Sequence, residues 1–169
     1  MQWIEKNIRE IKDNVVSLIS DEWMLVTCGN RDKYNMMTAS WGSIGEMWGK
    51  DCAVTVVRPQ RYTFEFIDQL DYFTLSFYGD EGKKLIHKVC GSQSGRDINK
   101  TSEAGLTPVF DDDFIYFKQA RLVLCCKKLY AQDIDPACFA DKSLVEKWYD
   151  GDFHRAYVGE IVKTLVKTE

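Results

Sequence analysis

The sequence predicts a mainly β protein, a small antiparallel barrel with flanking helices that forms one domain over residues 1–169. Six or seven segments are rich in β-branched and aromatic residues, and turn residues separate them at short intervals. Few stretches show the periodicity of a long helix. With 45% hydrophobic and 13% aromatic residues, a chain of 169 residues can bury a substantial core.

The first predicted element is an amphipathic helix over residues 1–20, which we expect to cover one side of a sheet. Its apolar residues recur at helical spacing with charges between them, and they are Trp3, Ile4, Ile8, Ile11, Val15 and Ile19. Residues 23–28 then form a buried strand. Residues 34–38 form a shorter strand that leads into a turn at Ala39-Ser40.

Residues 45–50 (GEMWGK) partly match a phosphate-binding loop, but the spacing is one residue short. Asp51 also replaces the Ser or Thr that would bind magnesium, so a loop between two strands fits better. The β-branched run at residues 53–57 is the next strand, and Pro59 ends it because proline has no N–H for the ladder. Thr63 is expected to cap the helix that follows.

The second half of the chain continues the mixture of strands and short helices. Strands are predicted at residues 72–78 and 156–167, and residues 114–132 form either two strands or one long bent strand. Short helices are predicted at residues 83–90, 99–106 and 141–148.

The composition argues against several classes of function. A net charge of −4 and a pI near 5.3 disfavour electrostatically driven nucleic-acid binding. No apolar run approaches the ~20 residues of a membrane helix, and no signal-peptide pattern opens the chain. We therefore expect a cytoplasmic protein that contacts neither nucleic acid nor membrane.

The six cysteines are predicted to be reduced thiols in or near the core of a cytosolic protein. None forms a C-x-x-C pair, and no histidine lies at a zinc-like offset from a cysteine pair, so no metal site is expected. A redox role for Cys90, beside a Gly-Ser loop, is the alternative.

A candidate ligand site lies around the strand at residues 53–57. Before it, residues 38–41 (TASW) offer hydroxyls, exposed backbone and a large aromatic ring, which suit a flat polar ring. After it, Arg58, Arg61 and the helix start at Thr63 suit a phosphate, because free N–H groups and the helix dipole attract anions. The two ends are typical of a mononucleotide site. An ordinary helix cap with two solvated arginines remains the alternative.

Four motifs, in order along the chain, resemble the flavin reductase-like, FMN-binding split-barrel family in its flavoredoxin branch. They are NMMTASWG at residues 35–42, RPQRYT at 58–63, SGRD at 94–97 and GDFHRAYVGEI at 151–161. The similarity runs roughly from residue 23 to residue 167.

The resemblance implies a six-stranded antiparallel split barrel, usually a homodimer, that binds FMN noncovalently at or near the subunit interface. It implies a ring-binding set of Thr38, Ala39, Ser40 and Trp41, and Met37 is a further candidate for cofactor binding. It also implies a phosphate-binding set of Arg58, Arg61, Tyr62 and Thr63, over which Ser94, Gly95, Arg96 and Asp97 would close.

We also expect His154, within the last motif, to lie near the flavin. An imidazole can donate a hydrogen bond to a flavin oxygen or to the phosphate, and it titrates near neutral pH. A histidine exposed to water at the start of the last strand is the alternative.

Two functions remain open at this point. One is an FMN-dependent oxidoreductase that takes hydride or electrons from NAD(P)H or from a protein donor. The other is a non-enzymatic FMN-binding electron carrier that serves a partner protein. Because a flavin performs the transfer itself, neither function requires a catalytic triad, and the sequence names no catalytic residue.

Overall fold

The computed structural model of the chain describes residues 2–168, without the side chains of Asp80, Glu81 and Leu85. Within these residues there are ten strands: β1 (Trp3–Lys6), β2 (Met24–Gly29), β3 (Tyr34–Ala39), β4 (Gly42–Met47), β5 (Lys50–Val57), β6 (Tyr72–Phe77), β7 (Pro108–Asp111), β8 (Phe114–Phe117), β9 (Leu122–Asp133) and β10 (Arg155–Lys167).

Eight of these strands form one antiparallel sheet. Its order is β3-β2-β6-β9-β10-β5-β4, and β1 pairs with β10 beside that path. Strands β7 and β8 form a separate two-stranded ribbon. The predicted mainly β, antiparallel fold is therefore confirmed. The sheet holds eight strands because β1 and β4, which were not predicted as strands, both join it.

The helices are short and lie between the strands. They are α1 (Val15–Ser17), which continues as a π-helical turn at Leu18–Glu22; α2 (Tyr62–Gln69); α3 (Gly79–Ile86), which continues as a π-helical turn at His87–Gly91; α4 (Lys100–Glu103); and α5 (Ser143–Trp148). Short 3₁₀ turns lie at Ile8–Glu10 and Pro136–Cys138.

The core lies between the curved sheet and helix α2. Large side chains from non-adjacent strands meet there, and Phe73, Phe77, Leu124 and Tyr157 are each at most 1% exposed. Burial of such side chains is the main favourable contribution to folding, at roughly 1.5–3 kcal/mol each. Within the described part of the chain, no helix combines the length and apolarity needed to cross a membrane.

The predicted amphipathic helix over residues 1–20 is wrong. Residues 3–6 instead form β1, which pairs with the end of β10 from Trp3 opposite Lys167 onward. The side chain of Asn7 accepts a hydrogen bond from the N–H of Arg9 at 2.9 Å, and that of Asn14 accepts one from the N–H of Val16 at 3.0 Å. Each of these two caps begins a separate short turn, so the helical spacing of the apolar residues does not produce one continuous helix.

The predicted loop at residues 45–50 is also wrong in its boundaries. Residues 42–47 form β4, whose Met47 lies opposite Lys50 of β5. Only Trp48 and Gly49 form the turn, with φ of 57° and 71°. Two residues with positive φ are what a tight hairpin turn requires, because their twist matches that of the strands.

The remaining strand and helix predictions agree with the structure in position. Residues 114–132 resolve into two strands, β8 and β9, separated by a turn. The predicted cap of α2 is the exception: the helix begins at Tyr62, and the hydroxyl of Thr63 accepts a buried hydrogen bond from the Asn35 amide at 2.8 Å.

All six cysteines are free thiols. Five are buried, and Cys138 is exposed. Burial raises the pKa of the Cys90 thiol to about 11, so at neutral pH it is protonated and unreactive.

Candidate functional site

A cavity of about 370 Å³ lies where the ends of β3 and β5 face the segment that leads into β10. Most of the residues predicted to bind a cofactor line it: Met37, Thr38, Ala39, Ser40, Trp41, Arg58, Arg61 and His154. Three further lining residues were not predicted: Val56, Gly91 and Trp148. The volume falls within the range of roughly 300–1,000 Å³ that small-molecule sites occupy.

One end of the cavity is built from small residues and backbone. Strand β3 ends at Ala39, and Thr38 and Ser40 are only half-buried, so their polar atoms remain accessible. Gly91 approaches β3 so closely that a Cβ atom there would lie 2.6 Å from Oγ1 of Thr38. A glycine at this position keeps the space open, since any larger residue would enter it.

An aromatic wall closes the side of the cavity next to these small residues. The indole ring of Trp41 lies with its centroid 5.1 Å from that of Trp148 and 5.1 Å from the imidazole of His154. Trp148 ends helix α5 and remains 44% exposed, so it forms the rim of the cavity. Flat aromatic surfaces of this kind suit a planar ring system.

Arg61 supplies a positive charge beside Gly91. Its guanidinium is half-buried and donates a hydrogen bond to the carbonyl of Gly91 at 2.9 Å. Among the described residues, no carboxylate pairs with it. Burial lowers the pKa of Arg61, because the charged form is partly desolvated. A half-buried cation without a counter-ion is suited to an anionic ligand group.

Arg58 also lines the cavity, but its charge is already neutralised. It forms an ion pair with Asp152 and donates a hydrogen bond to the carbonyl of Trp148 at 2.9 Å. Hydrogen bonds from Gln60 and Arg58 hold the pKa of Asp152 well below its usual range. Arg58 therefore ties the segment before β10 to the end of β5.

The other predicted phosphate ligands lie outside this cavity. Thr63 is buried against Asn35, and Tyr62 packs its ring under the guanidinium of Arg96 at 4.6 Å. Arg96 forms an ion pair with Glu65. The oxygen Oγ of Ser94 accepts a hydrogen bond from the N–H of Arg96 at 3.2 Å, which shapes this loop.

The loop at residues 94–97 instead borders a second cavity of about 380 Å³. Gly95, Arg96 and Asp97 line it together with Asn35 and Lys100. The Lys100 amine is buried and donates to the carbonyls of Met36 and Cys90, at 2.9 Å and 3.0 Å. Burial lowers its pKa to about 8. Within the described residues, no cluster of His, Cys, Asp and Glu is arranged to hold a metal ion.

His154 is buried at the cavity wall, only 8% exposed, and does not face bulk water. Burial, together with the charge of Arg58, lowers its pKa to about 4. The expectation that His154 titrates near neutral pH is therefore wrong. Its imidazole is neutral at pH 7 because a second positive charge beside Arg58 would be poorly solvated.

The depressed pKa of His154 predicts a loss of stability on acidification. Between pH 6.5 and pH 4 the unfolded state binds the proton and the folded state does not, so the free energy of unfolding falls as the pH falls through this window. His154→Gln removes this contribution, and its unfolding free energy should depend less steeply on pH between 6.5 and 4. Urea unfolding at a series of pH values measures the difference, and identical slopes for the two proteins would contradict it.

Sequence reasoning missed Trp148 and Gly91 for different reasons. Trp148 was assigned to a helix, and nothing in its local pattern distinguishes a rim residue from a surface residue. Gly91 directly follows the helix predicted at residues 83–90, and its closeness to Thr38 depends on tertiary packing.

Comparison with known proteins identifies the family. Residues 16–169 match the sequence profile of the flavin reductase like domain. No match was found among curated proteins.

Solved structures share the fold over most of the chain. An FMN-binding domain of a flavin reductases-like enzyme from Shewanella baltica superposes with a TM-score of 0.69 at 17% identity, covering 98% of this chain and 77% of that one. Flavoredoxin of Desulfovibrio vulgaris superposes with a TM-score of 0.66 at 20% identity, covering 97% of this chain and 77% of that one. An NADH:FAD oxidoreductase from Streptomyces globisporus superposes with a TM-score of 0.64 at 14% identity, covering 86% of this chain and 75% of that one.

The shared fold is the antiparallel split barrel. The profile match extends over far more than half of the sequence and includes every strand of the sheet except β1. The chain therefore belongs to the flavin reductase like domain family.

Proposed function

We propose that the chain binds FMN noncovalently in the cavity at the ends of β3 and β5, and that it is an oxidoreductase that passes hydride or electrons through this flavin. The observation that carries the proposal is the combination of groups in one cavity. Small polar residues and Trp41 line it together with the guanidinium of Arg61, which has no carboxylate partner among the described residues. The FMN-binding protein from Shewanella baltica supports the choice of flavin.

The residues present fit the group. Arg61 would hold the phosphate, with Gly91 orienting its guanidinium. Hydroxyl and backbone groups of Thr38 and Ser40 would hydrogen-bond the polar edge of the ring. Trp41 would pack beside the ring and exclude water. Bound FMN supplies the hydride and electron chemistry, which leaves binding, orientation and electrostatic tuning to the protein.

Two sets of residues that the sequence predicted at the phosphate would contribute to this site indirectly. Tyr62 and Thr63 follow Arg61 directly and fix the start of α2, so they would hold Arg61 in position. Residues 95–97 line the second cavity, where Arg96 is paired with Glu65, so the loop at residues 94–97 would have to move to close over the phosphate.

The electron donor is proposed to be NAD(P)H or a reduced protein. The NADH:FAD oxidoreductase from Streptomyces globisporus supports a nicotinamide donor. The flavoredoxin match and the exposed rim formed by Trp148 favour the second candidate function, a non-enzymatic electron carrier that meets a partner protein at this rim. Steady-state NAD(P)H oxidation with added free flavin separates the two, since only the oxidoreductase turns over.

The protein is expected to purify yellow or to bind added FMN. The flavin absorbance spectrum, followed by mass identification of the released cofactor, tests the first outcome. Quenching of FMN fluorescence on titration with the protein tests the second. A colourless protein that quenches no FMN fluorescence would overturn the proposed function.

We further propose a homodimer. Large apolar side chains remain exposed in the single chain, among them Trp48 at 61%, Tyr130 at 45% and Leu129 at 36%. The rings of Trp48 and Tyr130 lie 6.1 Å apart, so they form one patch suited to a second copy. Light scattering at micromolar concentration is expected to give twice the mass of the chain, and a monomer would count against the dimer.

A cytoplasmic location is part of the same proposal. Six free cysteines, one of them exposed, suit a reducing compartment. Fractionation of cells that express the chain at its natural level tests this location.

A further inference from the structure

Tyr149 directly follows helix α5 and reaches the imidazole of His154. Its hydroxyl oxygen lies 3.2 Å from Nδ1 of His154, and the two rings meet edge to face with centroids 5.5 Å apart. The Tyr149 ring stacks on Phe153 at 4.5 Å with an angle of 20°, and the guanidinium of Arg58 lies 5.4 Å from its centre. The phenol is therefore held in place from several sides.

We propose that Tyr149 is a positioning residue that fixes His154 as the tautomer with its proton on Nε2, so that the imidazole presents an N–H donor to the cavity. The identity of the acceptor rests on the proposed function: it is a carbonyl oxygen or a ring nitrogen of a bound flavin. The tautomer itself follows from contacts within this chain.

The direction of the Tyr149 hydrogen bond follows from the two partners. A phenol is a strong donor and a weak acceptor, because its oxygen lone pair is delocalised into the ring. The unprotonated nitrogen of a neutral imidazole is a good acceptor. When one ring nitrogen accepts a hydrogen bond, the other carries the proton. Donation from Tyr149 to Nδ1 therefore places the proton on Nε2.

The second nitrogen is free to act on a ligand. Within the part of the chain that the structure describes, Nε2 of His154 has no protein partner, and it is not among the buried side-chain atoms sealed from solvent. His154 lines the cavity and is otherwise buried, so the cavity is where Nε2 can find an acceptor.

The surrounding charges keep this arrangement neutral. Burial and Arg58 both oppose a protonated imidazole, whereas Asp152 favours it and Asp152 is itself paired with Arg58. Burial raises the pKa of Tyr149, so its hydroxyl keeps its proton. The neutral hydroxyl of Tyr149 therefore donates to the unprotonated Nδ1 of the neutral His154 imidazole.

The experiment compares the wild type with Tyr149→Phe by NMR of protein labelled with ¹⁵N in its histidine rings, without flavin. The chain has two histidines, so a His87→Gln sample assigns the His154 signals. The wild type is expected to show a pyridine-type Nδ1 and a protonated, pyrrole-type Nε2. Tyr149→Phe should shift both signals towards the average of two exchanging tautomers. Tyr72→Phe is the control: the ring of Tyr72 packs on Phe114 and does not line this cavity, so this variant should leave both signals unchanged.

Binding measurements then connect the tautomer to the ligand. Loss of one oriented donor should weaken FMN binding about three- to tenfold in Tyr149→Phe. Melting curves of both proteins establish that each is folded at the temperature of the titration. A wild-type spectrum with the proton on Nδ1, or unchanged His154 signals in Tyr149→Phe, would overturn the inference even if FMN binds. Absence of FMN binding with the expected tautomer would instead overturn the proposed function.

Discussion

Replacing Arg61 by alanine is expected to weaken FMN binding by at least about tenfold and to remove most of the preference for FMN over riboflavin. The guanidinium is half-buried, is oriented by the Gly91 carbonyl at 2.9 Å, and has no carboxylate partner within the described residues. A charge-assisted contact to a phosphate is worth roughly 1.5–3 kcal/mol, and ~1.4 kcal/mol corresponds to tenfold in affinity. Riboflavin lacks the phosphate, so its affinity should hardly change.

Fluorescence titration with both flavins measures this difference directly. Arg9→Ala is the matched control, because Arg9 is paired with Asp51 and lines neither of the two cavities described above. Its FMN affinity should stay within about twofold of the wild type, as surface ion pairs contribute little. Equal wild-type affinities for FMN and riboflavin would show that Arg61 does not bind the phosphate.

Local sequence patterns were sufficient to predict the strands that carry the site. The β-branched run that forms β5 and the motif at the end of β3 are both visible in a few consecutive residues. Thr38, Trp41 and Arg61 could therefore be named as candidates before the fold was known. The split barrel was predicted from the resemblance of four motifs to a known family. Alternation of apolar and polar residues alone does not distinguish this barrel from other antiparallel barrels.

Errors arose where distant residues decide the structure. The first twenty residues have a helical period, but β1 pairs with the distant strand β10, from Trp3 opposite Lys167 to Lys6 opposite Thr164. Such pairing can override a local helical preference. In the site, the ion pair between Arg58 and Asp152 was not predicted, because the two residues lie 94 positions apart in the chain.

Gly159→Ala is expected to lower the stability of the protein, because the added methyl group would enter a closely packed part of the core. Gly159 lies in β10, where the register against β9 shifts beside it. A Cβ atom there would lie 2.7 Å from Cζ of Phe73 and 2.9 Å from Cβ of Cys126, and both of these residues are buried. Neither contact is the mobile end of a long side chain, so the core must shift.

The expected cost of this overpacking is about 1–3 kcal/mol, which lowers the melting temperature of a domain of this size by roughly 3–10 °C. Gly45→Ala is the matched control, because Gly45 also lies in a strand but a Cβ there would meet nothing within 4 Å. Its stability should be unchanged or higher by up to ~1 kcal/mol, since alanine restricts the unfolded chain. Calorimetric melting of the two variants compares them. If Gly159→Ala melted as high as Gly45→Ala, then β10 would not be packed as closely on Phe73 and Cys126 as the structure describes.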